Sequence, residues 1–393
     1  MLFENQFLKA LLYDIITKIM TKTIPVSKPS IGKEELQAVK GVFDSGWLGM
    51  GASVKAFEDE ISKFLGGSSV IAVNTGTTAI HLALDALGIT EGDEVIVPSL
   101  TFVATIQSIS ATGATPVFCD IETDTLNIDI DDAEKRITSR TKAIIPIHYR
   151  GIPCDMDRLM SVAKKNNLRV VEDAAHAFGS HYKGKPIGSF GDITCFSFDP
   201  IKVVTCGEGG AIAIRNDALA SLIQKKRILG IDKDTWSRYK HERSWFYDVI
   251  EQGYRYHMSN INAAIGLVQL KKFKKLNAKR IKIAKRYDKE LGAIKDLQLL
   301  NTDYKDVAFF MYIIKVKKDR NGLMKFLKEK GIDSGIHYIP SHKFEFYKKH
   351  ATPLPATEKV YNEILTLPLY PDLTTMEQTK VISSIKEFFR TKP

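Results

Sequence analysis

Seven short apolar runs constrain this chain more than any other feature: "SVIAV", "DEVIVP", "TPVFCDI", "KAIIPIHY", "LRVVEDA", "ITCFSF" and "GAIAI". They are rich in β-branched residues, do not alternate with polar ones, and are interrupted by helical patterns such as "TTAIHLALDALGI", "TFVATIQSISATG" and "MDRLMSVAKKNN". Strands this apolar need cover on both faces, so the pattern predicts an α/β fold built on a largely parallel sheet with helices on either side. After about Gly266 the pattern changes to a long basic helix, then "FFMYIIKV", a helix around "GLMKFLKEKG", the segment "DSGIHYIPSH" and a closing helix "TTMEQTKVISSIKEFF". Residues 24–270 are therefore expected to form a large domain, and 271–393, with the basic helix, a smaller α+β domain. Residues 1–23 read as an N-terminal extension, and Met20 stands directly before "TKTIPVSKPSIGKEEL" as an alternative start.

The formal charge of +10 raises the question of nucleic acid, but much of the excess is local, in "KKFKKLNAKRIKIAKR" from Lys271 to Arg286. Phe273, Leu276, Ile281 and Ile283 are interleaved there, which reads as the solvated face of an amphipathic helix; attraction of phosphate-bearing ligands is the second reading. Cys119, Cys154, Cys195 and Cys206 lie far apart with no CxxC pair, so neither a disulfide framework nor a zinc site has its spacing. A cytoplasmic location is expected. The first 22 residues carry Glu4, Lys9, Asp14 and Lys18, which leaves no uninterrupted apolar core for a signal peptide or a membrane span.

Three features point to chemistry. Lys202 follows the run "ITCFSF" and precedes "TCGEGGAIAI", where Gly207, Gly209 and Gly210 permit a tight turn. A lysine alone in such a loop is usually a surface residue, but the end of a strand in an α/β sheet also borders the usual ligand crevice. Upstream, "LRVVEDAAHAFGS" closes an apolar run on Glu172 and Asp173, and a carboxylate there requires a cationic or hydrogen-bonding partner. Further upstream, "AVNTGTTAIHLAL" reads strand, turn, helix, so the amides of Gly76 and Thr77 fall at a helix N-terminus that suits an anion. A phosphate cradle, an acidic partner for a pyridinium and a Schiff-base lysine together are what pyridoxal 5'-phosphate requires of a protein.

The motifs "NTGTTAIHLAL", "VPSLTFVAT", "VEDAAHAFGS", "FSFDPIKVVTCGEGG" and "GYRYHMSNINAAIGLVQL" resemble the DegT/DnrJ/EryC1/StrS sugar aminotransferases, and the likeness runs from about Ile24 to Phe389. The resemblance implies a fold-type I pyridoxal-phosphate enzyme with a seven-stranded sheet, acting as a homodimer with shared active sites. It further implies transfer of the amino group of glutamate to a nucleotide-linked keto sugar, through pyridoxamine 5'-phosphate. By the resemblance, Lys202 is the Schiff-base lysine and Asp173 keeps the pyridine nitrogen protonated. Phe102 packs on the cofactor face, His176 lies against the cofactor, and Ser197 joins Gly76 and Thr77 at its phosphate. Where many relatives carry an asparagine that reaches the phosphate across the dimer interface, this chain has Arg255 and His257, and Arg255 is the candidate for that role. Trp47 in "SGWLGMG", with His337 and Tyr338 in "GIHYIPSH", resembles segments near the mouth of the site, where the sugar nucleotide binds. A 4-keto-6-deoxy sugar is the leading substrate and a 3-keto sugar the second. The product is expected to be an amino sugar for a surface polysaccharide such as O-antigen or a related glycoconjugate. Two alternatives stand beside this: a sugar dehydratase of the same fold, in which a histidine typically replaces the lysine, and a non-catalytic ligand sensor.

Overall fold

A computed structural model describes residues 23–232 and 247–391; the expected N-terminal extension lies outside these except for Thr23. The first helices, α1 (Lys33–Ser45) and α2 (Ala52–Phe64), pack along the later helix that leaves the large sheet. The sheet itself is assembled from β1 (Ser69–Val73), β2 (Glu94–Pro98), β3 (Thr115–Cys119), β4 (Thr141–Ile144) and β5 (Arg169–Asp173). After a small hairpin, β6 (His181–Tyr182) with β7 (Lys185–Pro186), it gains β8 (Ile193–Ser197) and β9 (Gly210–Ile214). The helices between these strands are α3 (Gly76–Ala86), α4 (Val103–Ala111), α5 (Ile130–Lys135) and α6 (Met156–Lys165), and α7 (Asp217–Lys226) follows β9. Side-chain caps start several of them: the oxygens of Thr75, Asp155 and Asn216 accept from the amides of Thr78, Arg158 and Leu219.

The strand order is β1-β9-β8-β5-β4-β2-β3, seven strands as expected. Neighbours from β8 across to β3 pair in parallel, whereas β9 runs antiparallel to both β8 and β1. The exception has a simple cause. Between β8 and β9 the chain forms no helix, so it turns straight back instead of crossing over, and a direct return gives an antiparallel pair. That returning loop carries Lys202.

Helix α8 (Asn260–Leu291) runs for 32 residues, capped by the Ser259 hydroxyl, and buries Phe273, Leu276 and Ile283 while its lysines face outward. It is continuous through residues 270 and 271, where the sequence pattern suggested a boundary. A second, three-stranded antiparallel sheet follows, β10 (Leu297–Leu299), β11 (Tyr312–Val316) and β12 (Ile364–Leu367), covered by α9 (Arg320–Glu329), α10 (Pro355–Glu363) and α11 (Thr375–Thr391). Its core includes Tyr287, Leu291, Ile314, Leu327 and Val381.

Two segments depart from the sequence pattern. In "FFMYIIKV" only Tyr312–Val316 is strand; Phe309 and Phe310 are held instead by hydrogen bonds from their amides to Asn277 Oδ1 (2.9 Å) and to the Arg150 carbonyl (3.2 Å). "GIHYIPSH" is irregular as far as Pro340 and enters a short 3-10 turn at Ser341–Lys343; it is tied to β12 by the reciprocal Gly335 and Thr366 main-chain hydrogen bonds.

Candidate active site

A cavity of ≈ 330 Å³ opens where the carboxyl ends of β5 and β8 meet the start of α3, with the "GIHYIPSH" segment closing one side. Open α/β sheets bind ligands at this end because the loops there are free to differ while the strands hold them in place. Gly76, Thr77, Phe102, Asp173, His176 and Ser197 all line it, as do Lys202, His337 and Tyr338.

The anion-binding end is built by close packing. Thr75 caps α3, and the amides of Gly76 and Thr77 in its first turn have no intrahelical acceptor. A Cβ on Gly76 would stand 2.8 Å from Ser197 Cβ, and one on Gly210 would stand 2.3 Å from the Thr75 carbonyl oxygen. The helix start therefore rests directly on β8 and β9, and it brings two free amides and the Ser197 hydroxyl to one wall. Such a wall fits a phosphate monoester.

At the other end, β5 finishes on the two neighbouring carboxylates, which alternation along a strand sends to opposite faces. Glu172 points into the fold, fully buried, and accepts from His148 Nε2 (2.9 Å), Thr194 Oγ1 (2.7 Å) and the Gly191 amide (2.8 Å). Burial would raise its pKa, but these donors, His148 foremost, hold it below the usual range. The Cys154 amide donates to His148 Nδ1 at 3.1 Å, which turns Nε2 toward Glu172. Asp173 faces the cavity, where its oxygens accept from Thr105 Oγ1 (2.7 Å) and the Ala175 amide (3.0 Å). That leaves a positioned carboxylate able to accept one further hydrogen bond from a ring N–H.

Lys202 enters between these ends. Burial lowers its pKa to about 8, against the opposing pull of Asp199 and Asp173. Its Nζ lies 4.6 Å from the centroid of Phe310. His176 Nε2 pairs with the Tyr338 hydroxyl at 3.1 Å, while its buried Nδ1 has no hydrogen-bond partner among the described residues. Burial, with Lys202 and His337 nearby, holds His176 well below the ordinary histidine pKa, so it is a neutral ring at physiological pH. His337 is likewise pushed down to about 4 by burial and Lys202, and its Nδ1 pairs with Thr366 Oγ1 at 2.9 Å. Phe102, at the N-cap of α4, is 55% exposed and its ring lies 5.6 Å from that of Tyr338.

Two residues singled out in the sequence are not brought to this cavity. Trp47 lies in a separate groove with Asn260 and Ala264, its indole N–H donating to the Met50 carbonyl. Arg255 sits in the segment beside the edge strand β1, bridged to Ile228. Conversely, Thr105, Asp199, Glu208 and Phe310 escaped the sequence reading. Thr105 falls three residues after Phe102 and four after Thr101, a helical spacing that would have shown it on the cavity side of α4. For Phe310 no local signal exists.

The donor set fits pyridoxal phosphate: anion-binding amides and a hydroxyl at one end, a held carboxylate at the other, and a buried lysine between them. Comparison with known proteins agrees. Residues 29–386 match the DegT/DnrJ/EryC1/StrS aminotransferase family. An uncharacterized protein of Methanocaldococcus jannaschii is 40% identical over 375 residues, covering 93% of this chain and 97% of that protein. A proposed sugar aminotransferase of Streptococcus pneumoniae, solved in its pyridoxamine-phosphate form, is 33% identical with a TM-score of 0.88, covering 93% of this chain and 99% of the other. The same protein has also been solved in its pyridoxal-phosphate form. Helicobacter pylori PseC, an aminotransferase involved in the biosynthesis of pseudoaminic acid, is 28% identical with a TM-score of 0.88, over 94% of this chain and all of that one. With its cofactor-shaped cavity and a match along almost its full length, the chain belongs to the DegT/DnrJ/EryC1/StrS aminotransferase family and is a pyridoxal-phosphate-dependent sugar aminotransferase.

Proposed function

We propose that the protein moves the amino group of glutamate onto the keto carbon of a nucleotide-linked deoxysugar, a 4-keto-6-deoxy sugar in the first place and a 3-keto sugar in the second. The overall exchange balances: glutamate leaves as 2-oxoglutarate, and the ketone becomes an amine. Bound pyridoxal phosphate supplies an electron sink for the charge that develops at the donor's Cα. The protein's residues do the rest. Gly76, Thr77 and Ser197 hold the phosphate. Asp173, fixed by Thr105 and Ala175, accepts the hydrogen bond of the pyridine N–H and keeps that proton in place. Lys202 would anchor the cofactor through its Nζ, and that amine, when unbonded, is placed to take up the donor's Cα proton and give it back. A lysine whose pKa is lowered to about 8 is matched to that task, because it can both bind and release a proton near neutral pH. His176 and Phe102 flank the cofactor as neutral rings, and His337 and Tyr338 meet the sugar.

The observation that carries this reading is the buried lysine sharing one cavity with Asp173 and the α3 N-terminus. Charge supports the dimer. Among the described residues lining the cavity, Lys202 is opposed by Asp173, Asp199 and Glu208, while both histidines are neutral. The ligands, by contrast, are anions, and cations supplied by a second copy would balance them. Arg255 of a second copy is assigned to the phosphate as such a cation, and Trp47 to the sugar side as an uncharged contact. The amino sugar would serve a surface polysaccharide or related glycoconjugate assembled from cytoplasmic precursors.

The test is the absorbance spectrum of the purified holoenzyme before and after glutamate, beside Lys202→Ala, followed by dTDP-, UDP- and GDP-linked 4-keto and 3-keto 6-deoxyhexoses. A visible band that glutamate converts to an ultraviolet one in the wild type alone, and that a keto sugar restores, supports the proposal. A band that no amino donor moves would overturn it.

A further inference from the structure

No sequence motif marks Phe310, yet its ring lies at the centre of the reactive groups. It is 7% exposed, with Lys202 Nζ 4.6 Å from its centroid, and the imidazole of His176 is stacked on it at 4.6 Å and 22°. The ring is not free to drift, since the amides of Phe309 and Phe310 donate to Asn277 Oδ1 and to the Arg150 carbonyl. Titratable groups surround the amine from every packed element. These are Asp173 at the end of β5, His176 in the turn after it, Asp199 and Glu208 in the returning loop, and His337 and Tyr338 from the irregular segment ahead of α10. From α8, Arg280 reaches the Lys202 carbonyl at 3.4 Å. No carboxylate among the described residues forms an ion pair with Nζ, which lies instead over the aromatic face of Phe310.

That choice of neighbour has chemical content. An amine that takes up and gives back a proton in each half-reaction needs a resting place that suits both its charge states. A contacting carboxylate would fix it as ammonium, and bulk water would hydrate the ammonium strongly. An aromatic face attracts the ammonium moderately, through its quadrupole, and accepts the neutral amine without penalty.

We propose that Phe310 is a positioning residue for the transamination: its ring is the seat of the Lys202 ε-amino group while that group is unbonded, and the ring, backed by His176, keeps the amine dry between proton transfers. The proposal rests on the assignment of Lys202 as the reactive lysine.

The experiment uses the holoenzyme in its pyridoxamine-phosphate form, in which the lysine is free. Wild type, Phe310→Leu and Phe310→Tyr are labelled with cyanate across a pH series, and carbamoylation of Lys202 is followed by mass spectrometry. The single-turnover rate of the glutamate half-reaction is recorded alongside. Leucine keeps an apolar wall but removes the quadrupole. It should move the labelling midpoint of Lys202 to lower pH by roughly 0.5 to 1 and shift the pH profile of the half-reaction with it. Tyrosine should restore both. An unchanged midpoint and profile in Phe310→Leu, a midpoint moved to higher pH, or a tyrosine variant that behaves like leucine each overturns the seat. Retention of the visible cofactor band in Lys202→Ala would instead remove the lysine assignment itself, so the two failures are distinguishable.

Discussion

The two walls of the cavity are made of different material. The wall from the seven-stranded sheet is polar and reactive: Gly76, Thr77, Asp173 and Ser197 stand at the ends of strands or at the start of a helix, and Lys202 stands in the loop that follows β8. The wall from the segments around the three-stranded sheet is aromatic and uncharged: His337 and Tyr338, in irregular chain, line it, Phe310 packs against Lys202 and His176, and His337 is held neutral by burial and Lys202. Chemistry common to a whole family needs particular atoms at the ends of regular elements, where backbone geometry repeats. Recognition of one sugar needs a shape, and shape is set by packing between distant segments.

This contrast can be broken by experiment. The largest effect is expected at the reactive wall, where Lys202→Ala should lower turnover by about 10⁴-fold and abolish the visible cofactor band, both read in one spectrophotometric assay. Next comes Thr105→Val. It removes a 2.7 Å hydrogen bond to a charged carboxylate and should slow the glutamate half-reaction by roughly ten- to a hundredfold in stopped-flow measurements. Gly76→Ala drives a methyl to 2.8 Å from Ser197 Cβ and should weaken cofactor affinity by roughly tenfold, measured by fluorescence titration. On the aromatic wall, Tyr338→Phe loses only the His176 partner at 3.1 Å. It should raise KM for the keto sugar roughly two- to tenfold and leave the glutamate half-reaction unchanged; an equal loss in both halves would erase the distinction between the walls.

The smallest effect concerns stability. The folded pKa of Lys202 lies near 8, below the ordinary value of 10.5, so between those limits the unfolded chain binds more protons and stability rises with pH. Below about pH 8 the buried ammonium is fully destabilising. Lys202→Met should therefore stabilise the cofactor-stripped protein there, by at most about 2 kcal/mol once the cavity's access to solvent is allowed for, and the gain should fade toward pH 10.5. Thermal unfolding at several pH values measures it.

Legibility follows the same division. The apolar runs at Ser69–Val73 and Gly210–Ile214 coincide with β1 and β9 because continuous burial leaves little freedom in where a strand begins. The direction of β9 was not readable from its own residues, since it depends on the missing crossover between Ser197 and Gly210. The apolar run alone did not tell Asp173 from Glu172, and only the family resemblance chose Asp173; one step of strand alternation separates them, one to the cavity and one to His148. Phe310 was invisible because its role depends on two hydrogen bonds, to Asn277 and Arg150, from elements far away in the chain. Trp47 and Arg255 have family-like surroundings in sequence, but neither lines the cavity.

Helix α8 joins these walls. Asn262 near its start holds the Cys206 carbonyl in the loop that carries Lys202, Asn277 holds Val307 and Phe309, and Asp288 accepts from Tyr304 and Tyr312 beside the smaller sheet. At 1.5 Å per residue it is a rod about 48 Å long. Both sides of the pocket are thus mounted on a single beam, and a tilt of that beam to widen the aromatic side would also drag the lysine's loop out of alignment. A lineage exploring new sugars on this frame is steered toward exchanging side chains on the aromatic wall, one ring at a time, instead of hinging the pocket open.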